Sequence, residues 1–220
     1  IGSSDTDAAS STNRNAIGTR VTTLAAQSST GIYIQEADGV TIDLVNVSVD
    51  QVNFNSTKTT QSQTLEDLTT TNNGPVKLQS IAGDIVVNSG TTLTNGITAN
   101  GSGDILLEIL DTGMIVTNSV VMSGSGNITL NSKDALNIVD LLRTGSPGTI
   151  YLRSAQGVTV ENLQADNDIA VISGGGITLG RIDAGSGNVY LEAKNNVLDS
   201  DASSNPTNII ASGLAIKAGG

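Results

Sequence analysis

Apolar and polar residues alternate along this chain in short runs, and the runs return at a nearly constant spacing. A turn pair, usually Gly followed by Asp, Asn or Thr, precedes an aliphatic residue, one intervening residue and a second aliphatic. The instances are Gly83-Asp84-Ile85-Val86-Val87, Gly103-Asp104-Ile105-Leu106-Leu107, Gly126-Asn127-Ile128-Thr129-Leu130, Gly148-Thr149-Ile150-Tyr151-Leu152, Asn167-Asp168-Ile169-Ala170-Val171 and Gly187-Asn188-Val189-Tyr190-Leu191. Their leading aliphatics are separated by 20, 23, 22, 19 and 20 residues. A fixed period of this size is the mark of stacked, repetitive architecture. Inside one period the alternation restarts twice more, most legibly from Asp168 to Gly187, where Gly176-Ile177-Thr178-Leu179 and then Ile182 and Ala184 follow the first run. Successive side chains of a strand point to opposite faces, so Ile169, Val171, Ile177, Leu179 and Ile182 share one side.

Strands this short cannot hold a flat sheet by themselves. A lap of three, stacked on the next lap at about 4.8 Å, pairs its backbone groups and builds one continuous interior. The pattern therefore predicts an all-β parallel β-solenoid, or β-helix, of roughly nine coils, with about three short strands per coil of 19–23 residues and an interior of Ile, Val and Leu. The predicted organisation is a polar N-terminal coil over residues 1–30 that joins a preceding unit, a first regular coil over 31–44, an insertion over 45–74 and regular coils over 75–220. The insertion reads as hairpin-like, the alternative being a disordered loop, because Val45, Val47 and Val49 alternate, a Ser/Thr/Gln tract spans 55–64, and Leu65 and Leu68 follow.

Composition narrows the chemistry. The 220 residues include 25 Gly but only 2% aromatics and 14% charged residues, as glycine-cornered strands around an aliphatic bore require. No Cys and no His are present, which removes disulfides, thiolate sites, imidazole bases and serine-histidine triads. The net charge is −11, and the ten cations, Arg14, Arg20, Lys58, Lys77, Lys133, Arg143, Arg153, Arg181, Lys194 and Lys217, are spread along the chain. A nucleic-acid partner is not expected from that distribution. No apolar run approaches the ~20 residues of a membrane span, so no membrane insertion is expected in this segment, and any export or anchoring signal is expected outside it.

The repeats, together with Ile17-Gly18-Thr19-Arg20-Val21, Leu24-Ala25-Ala26 and Gly31-Ile32-Tyr33-Ile34 through Glu36-Ala37-Asp38, resemble the tandem segments of giant bacterial surface proteins of the filamentous haemagglutinin-like adhesin type. The resemblance implies an extracellular β-helical stalk or filament at the bacterial cell surface, and it carries over no catalytic residue. Ala218-Gly219-Gly220 running on into Ile1-Gly2 would reproduce Gly175-Gly176-Ile177, so one repeat of an array is expected. The expected partners are neighbouring copies placed end to end, covalently or by strand pairing, with lateral contacts between fibres.

Three groups of residues are candidates for chemistry. Asp84, Asp104 and Asp168 are expected to stack at one corner. Asn127, Thr149 and Asn188 take the equivalent place in other coils, which is turn chemistry and not an acid/base pair, so no catalytic site and no cofactor is assigned. For calcium, the acidic pairs are Asp5/Asp7, Asp38/Asp43, Glu66/Asp67 and Asp199/Asp201, with Asp199 and Asp201 the nearest to a site, although a hard cation needs ~6 to 8 oxygens. Tyr33, Tyr151 and Tyr190 occupy the middle of the first strand and are expected to face outward. The functional expectation is a non-enzymatic structural module, the alternative being a polysaccharide-binding or polysaccharide-cleaving β-helix.

Overall fold

A computed structural model of the chain describes residues 1–2, 15–200 and 207–220. The chain winds as a parallel β-helix with three faces. On the first face nine strands stack in chain order: Ile17–Thr19, Ile32–Glu36, Val76–Ser80, Ile105–Ile109, Ile128–Ser132, Ile150–Ser154, Ile169–Ser173, Asn188–Ala193 and Gly213–Ala218. The other two faces belong to a single 13-stranded sheet, because three late strands run on round the corner between them. Leu136–Thr144, for example, pairs with Val158–Ala165 at Leu136↔Val158 on the second face and at Leu142↔Leu163 on the third, with the register breaking between Ile138 and Leu141. Nine rungs at the spacing of paired strands give a column about 40 Å long.

The register moves one expected element. Ile85 pairs with Val40 and Ile115, so Ile85–Val87 belongs to the second face. The first-face counterpart of Ile105 is Val76, 29 residues earlier. The run at Gly83-Asp84 resembles the others because both corners obey the same turn chemistry. Gly83 and Gly113 stack at the corner between first and second faces with φ of 86° and 136°, and a Cβ on either would stand 2.3–2.4 Å from a carbonyl oxygen of the coil beneath. Glycine there answers both a left-handed backbone and a close interstrand approach.

The insertion is an antiparallel hairpin, Val45–Val52 against Lys58–Leu65, lying within the expected 45–74 span. Leu68–Thr70 already rejoins the stack, pairing with Ala26–Ser28 and with Ile97 and Thr98. The hairpin thus leaves the helix after the second-face strand Val40–Ile42 and returns in time to complete the same coil. Residues 17–28 supply three strands of their own, forming a coil below it.

Aliphatic columns fill the interior. Ile32, Val76, Ile105, Ile128, Ile150, Ile169 and Val189 form one, and Ile34, Leu78, Leu107, Leu130, Leu152, Val171 and Leu191 the next, all buried. The interior is not purely aliphatic, contrary to the sequence expectation. Where the first face ends, Ser80, Ser132, Ser154 and Ser173 turn inward, and each places its single hydroxyl proton within reach of two corner carbonyls, as Ser154 does with Asp134 O at 2.5 Å and Gly157 O at 3.2 Å. At another corner Thr70, Ser123 and Thr144 donate to the carbonyls of Gly74, Gly103 and Gly126. Tight corners leave carbonyls pointing into the bore, where an unpaired acceptor costs about 1–3 kcal/mol; a small hydroxyl on the inward side satisfies them without widening the coil.

Candidate functional site

The corner carboxylates do not assemble as one stack. Asp104 and Asp168 share the corner that precedes the first face, together with Asn127, Thr149 and Asn188, whereas Asp84 lies at the corner between first and second faces. Each acid is spent on the turn above it. Asp104 Oδ1 accepts from Asn127 N at 2.7 Å and from its Nδ2, Asp168 Oδ1 accepts from Asn188 N and Nδ2, and Asp84 Oδ1 accepts from Met114 N. Three rungs separate Asp104 from Asp168, about 14 Å. Acid/base carboxylate pairs in glycoside cleavage stand roughly 5 to 10 Å apart.

The calcium candidates are likewise dispersed. Asp199 accepts from Asn208 Nδ2 at 3.0 Å, and Asp201 lies outside the described residues, as do Asp5 and Asp7. Asp38 pairs with Arg20, and Asp43 accepts from Leu44 N and Asn88 Nδ2. Glu66 accepts from Thr91 N and Thr92 N, and Asp67 from Gly90 N. Among the described residues no three acidic side chains gather closely enough to hold an ion.

The tyrosines share a sheet face but not an environment. Tyr33, 8% exposed, is buried rather than outward in solvent: its ring lies against the Gly31 backbone, while Tyr33 N donates to Ile1 O and the Ile1 ammonium donates to Gly31 O. Lys77 stands over its ring at 5.9 Å from the centroid. Tyr151 is half-buried, and Tyr190 is 37% exposed with its hydroxyl donating to Glu192 Oε2. With Lys77, Leu106, Thr129 and Ala170 interleaved in the same row, the rings form no continuous platform.

The structure does gather cations that lie far apart in sequence. Lys133, Arg153, Lys194 and Lys217 line one groove of about 500 Å³, running along the edge where the first face turns toward the second. Their separations of 20, 41 and 23 residues are one, two and one coil, so residues scattered along the chain become neighbours on the wall. The pairing Arg153↔Ile172↔Glu192↔Lys217 puts Arg153 and Lys217 in one row three rungs apart. Lys133 and Lys194, each immediately after a first-face strand, stand in the adjacent row with the same three-rung interval. Glu192 is the one carboxylate lining the groove and is held by Lys217 at 2.6 Å. That ammonium, with the Tyr190 hydroxyl, keeps the Glu192 carboxyl below the ordinary carboxylate range. The cue in sequence was coil arithmetic applied to charge instead of to aliphatics.

The far end of the stack presents a different surface. Leu214 and Ile216 of Gly213–Ala218 continue the two aliphatic columns, in register with Val189 and Leu191, yet each is 50% exposed. Every column residue on the rung beneath them is buried. Comparison with family models, curated proteins and solved structures finds no match to this chain.

Proposed function

We propose that the chain is a structural, non-enzymatic segment of a rigid stalk or filament outside a bacterial cell, propagated by adding coils end to end. The observation that carries this reading is the uncovered rung: Leu214 and Ile216 stand where buried residues stand on the rungs from Ile32 and Ile34 to Val189 and Leu191, and their strand offers an unpaired edge in the same parallel register. An exposed, unblunted strand edge with apolar residues on its inward side invites strand pairing. A further coil would bury the exposed half of both side chains, at ~1 kcal/mol each, and pair the backbone. Stability in such stacks accumulates through nearest-neighbour interfaces, so length and stiffness grow together. The engagement of Asp104 and Asp168 with their own turns supports a role without catalysis. Acidity across the surface supports solubility of a long polymer.

The test is a protein of two copies in tandem, imaged by electron microscopy beside the single unit. One continuous rod of about twice the single-unit length, melting above the single unit, is the expected result, with Leu214→Asp and Ile216→Asp at the junction breaking it into two bodies. Two beads on a flexible tether in the unaltered tandem would overturn the reading.

A further inference from the structure

We propose that the groove along the edge between first and second faces binds an extended acidic polysaccharide, a glycan whose carboxylate or sulfate groups pair with two cationic clusters on the rod wall. The first cluster is Lys133 with Arg153, on adjacent rungs; the second is Lys194 with Lys217, in the same relation three rungs further on. At about 4.8 Å per rung the clusters repeat after about 14 Å. Between them lies an uncharged floor of Ile172, Ser173 and Gly174, from which no long side chain rises. Lys133, Arg153 and Lys194 take part in none of the ion pairs among the described residues. In a chain of net charge −11, four cations against one carboxylate in a single groove is a strong local inversion of sign. Fields of this kind concentrate oppositely charged ligands.

The lining selects among polyanions. Single-stranded nucleic acid is held by aromatic side chains on which its bases stack, and no aromatic residue lines this groove. A duplex would set a broad, dense phosphate surface against a narrow cationic strip on an otherwise acidic rod. A glycan chain needs separated charges, hydrogen-bond partners for its hydroxyls and an apolar floor for its C–H faces. The groove supplies the second through Asn131 and Lys217, and the third through Ile172, Ala155 and Ala218. The groove is built entirely within one chain, so this ligand and coil-on-coil growth are independent properties.

The experiment titrates the full chain by calorimetry with three probes of matched length, an oligogalacturonate, a sulfated galactan oligosaccharide and a neutral galactan, and with a single-stranded oligonucleotide of equal charge. Acidic glycans are expected to bind, more weakly as salt rises, with the carboxylated and sulfated probes showing which acid the groove prefers; the neutral one is expected not to bind. The double variant Lys133→Gln/Arg153→Gln, and Lys194→Gln alone, should each weaken binding about tenfold or more, while Lys58→Gln in the hairpin, the same charge change elsewhere, should leave it unaltered. Glu192→Gln should tighten binding by releasing Lys217 and removing the only lining carboxylate, a gain that misfolding cannot imitate. Failure of both acidic glycans to bind, tighter binding of the oligonucleotide, or equal loss in Lys58→Gln would overturn the proposal.

Discussion

Ile128 and Thr129 are adjacent in sequence and opposite in fate. Ile128 is fully buried between Ile105 and Ile150, while Thr129 lies on the outer side beside Leu106 and Tyr151. Ile128→Asp would leave an unpaired charge in the bore, and loss of about 4 kcal/mol or more, read as loss of the cooperative melting transition, is expected; Thr129→Asp should fold normally. Asp67 is a second residue whose environment sets its chemistry. It holds a left-handed φ of 66°, is fully buried, accepts from Gly90 N through Oδ1 and has no partner for Oδ2. Burial, offset by the Gly90 amide and reinforced by Glu66 and Asp43, pushes its carboxyl up to about 6. A folded-state value above the unfolded one means that the protonated form is favoured by folding. The contribution is therefore complete below about pH 4 and is lost as pH rises through about 6. Melting measured from pH 4 to 8 should show this decline, and Asp67→Asn, which keeps the turn and cannot ionise, should abolish it and be the more stable protein at pH 8.

At the scale of elements, strands and corners divide the work. Strands contribute aliphatic rungs, and corners are closed by inward hydroxyls, glycines and Asx side chains that reach to the next turn. The hairpin belongs to neither group. Its strands pair only with each other, and Val47, Val49, Val52 and Phe54 are exposed along it. A two-stranded ribbon in water is marginally stable and adds little to its support. Replacing residues 46–64 with a short Gly/Ser link should move the melting temperature of the rod by only about 2 °C, because Leu68–Thr70 closes the coil without it. A large drop would show that the hairpin braces the column.

For the whole molecule, every face is a ladder in which each rung is both product and template. The same repetition that buries the aliphatic columns also carries surface charge into rows, which is how Lys133, Arg153, Lys194 and Lys217 come to share a groove although the first and last of them stand four coils apart along the chain. It also sets Leu214 and Ile216 on the column positions, where each is 50% exposed. The two proposed roles use separate surfaces of the rod: the uncovered rung at Leu214 and Ile216 for another coil, and the groove wall for a charged chain. Altering one should leave the other intact, so Lys194→Gln in a tandem protein should still give a continuous rod.

Period, glycine corners and the alternation of Ile, Val and Leu were enough to determine the parallel β-solenoid, its rung count and its antiparallel excursion, because those features follow from local backbone preference and from which side of a strand a residue occupies. Which corner a turn belongs to was not legible: Gly83-Asp84-Ile85 and Gly103-Asp104-Ile105 obey the same local rule, and only the pairing of Ile85 with Val40 and Ile115 separates them. The burial of Tyr33, the carbonyls of another coil that Ser132, Ser154 and Ser173 reach, and the cationic groove were decided by tertiary structure. Each depends on what lies one coil away, and coil lengths vary enough, with 29 residues from Val76 to Ile105 against 19 from Ile150 to Ile169, that the neighbour across a rung is fixed by interstrand register and not by counting along the chain.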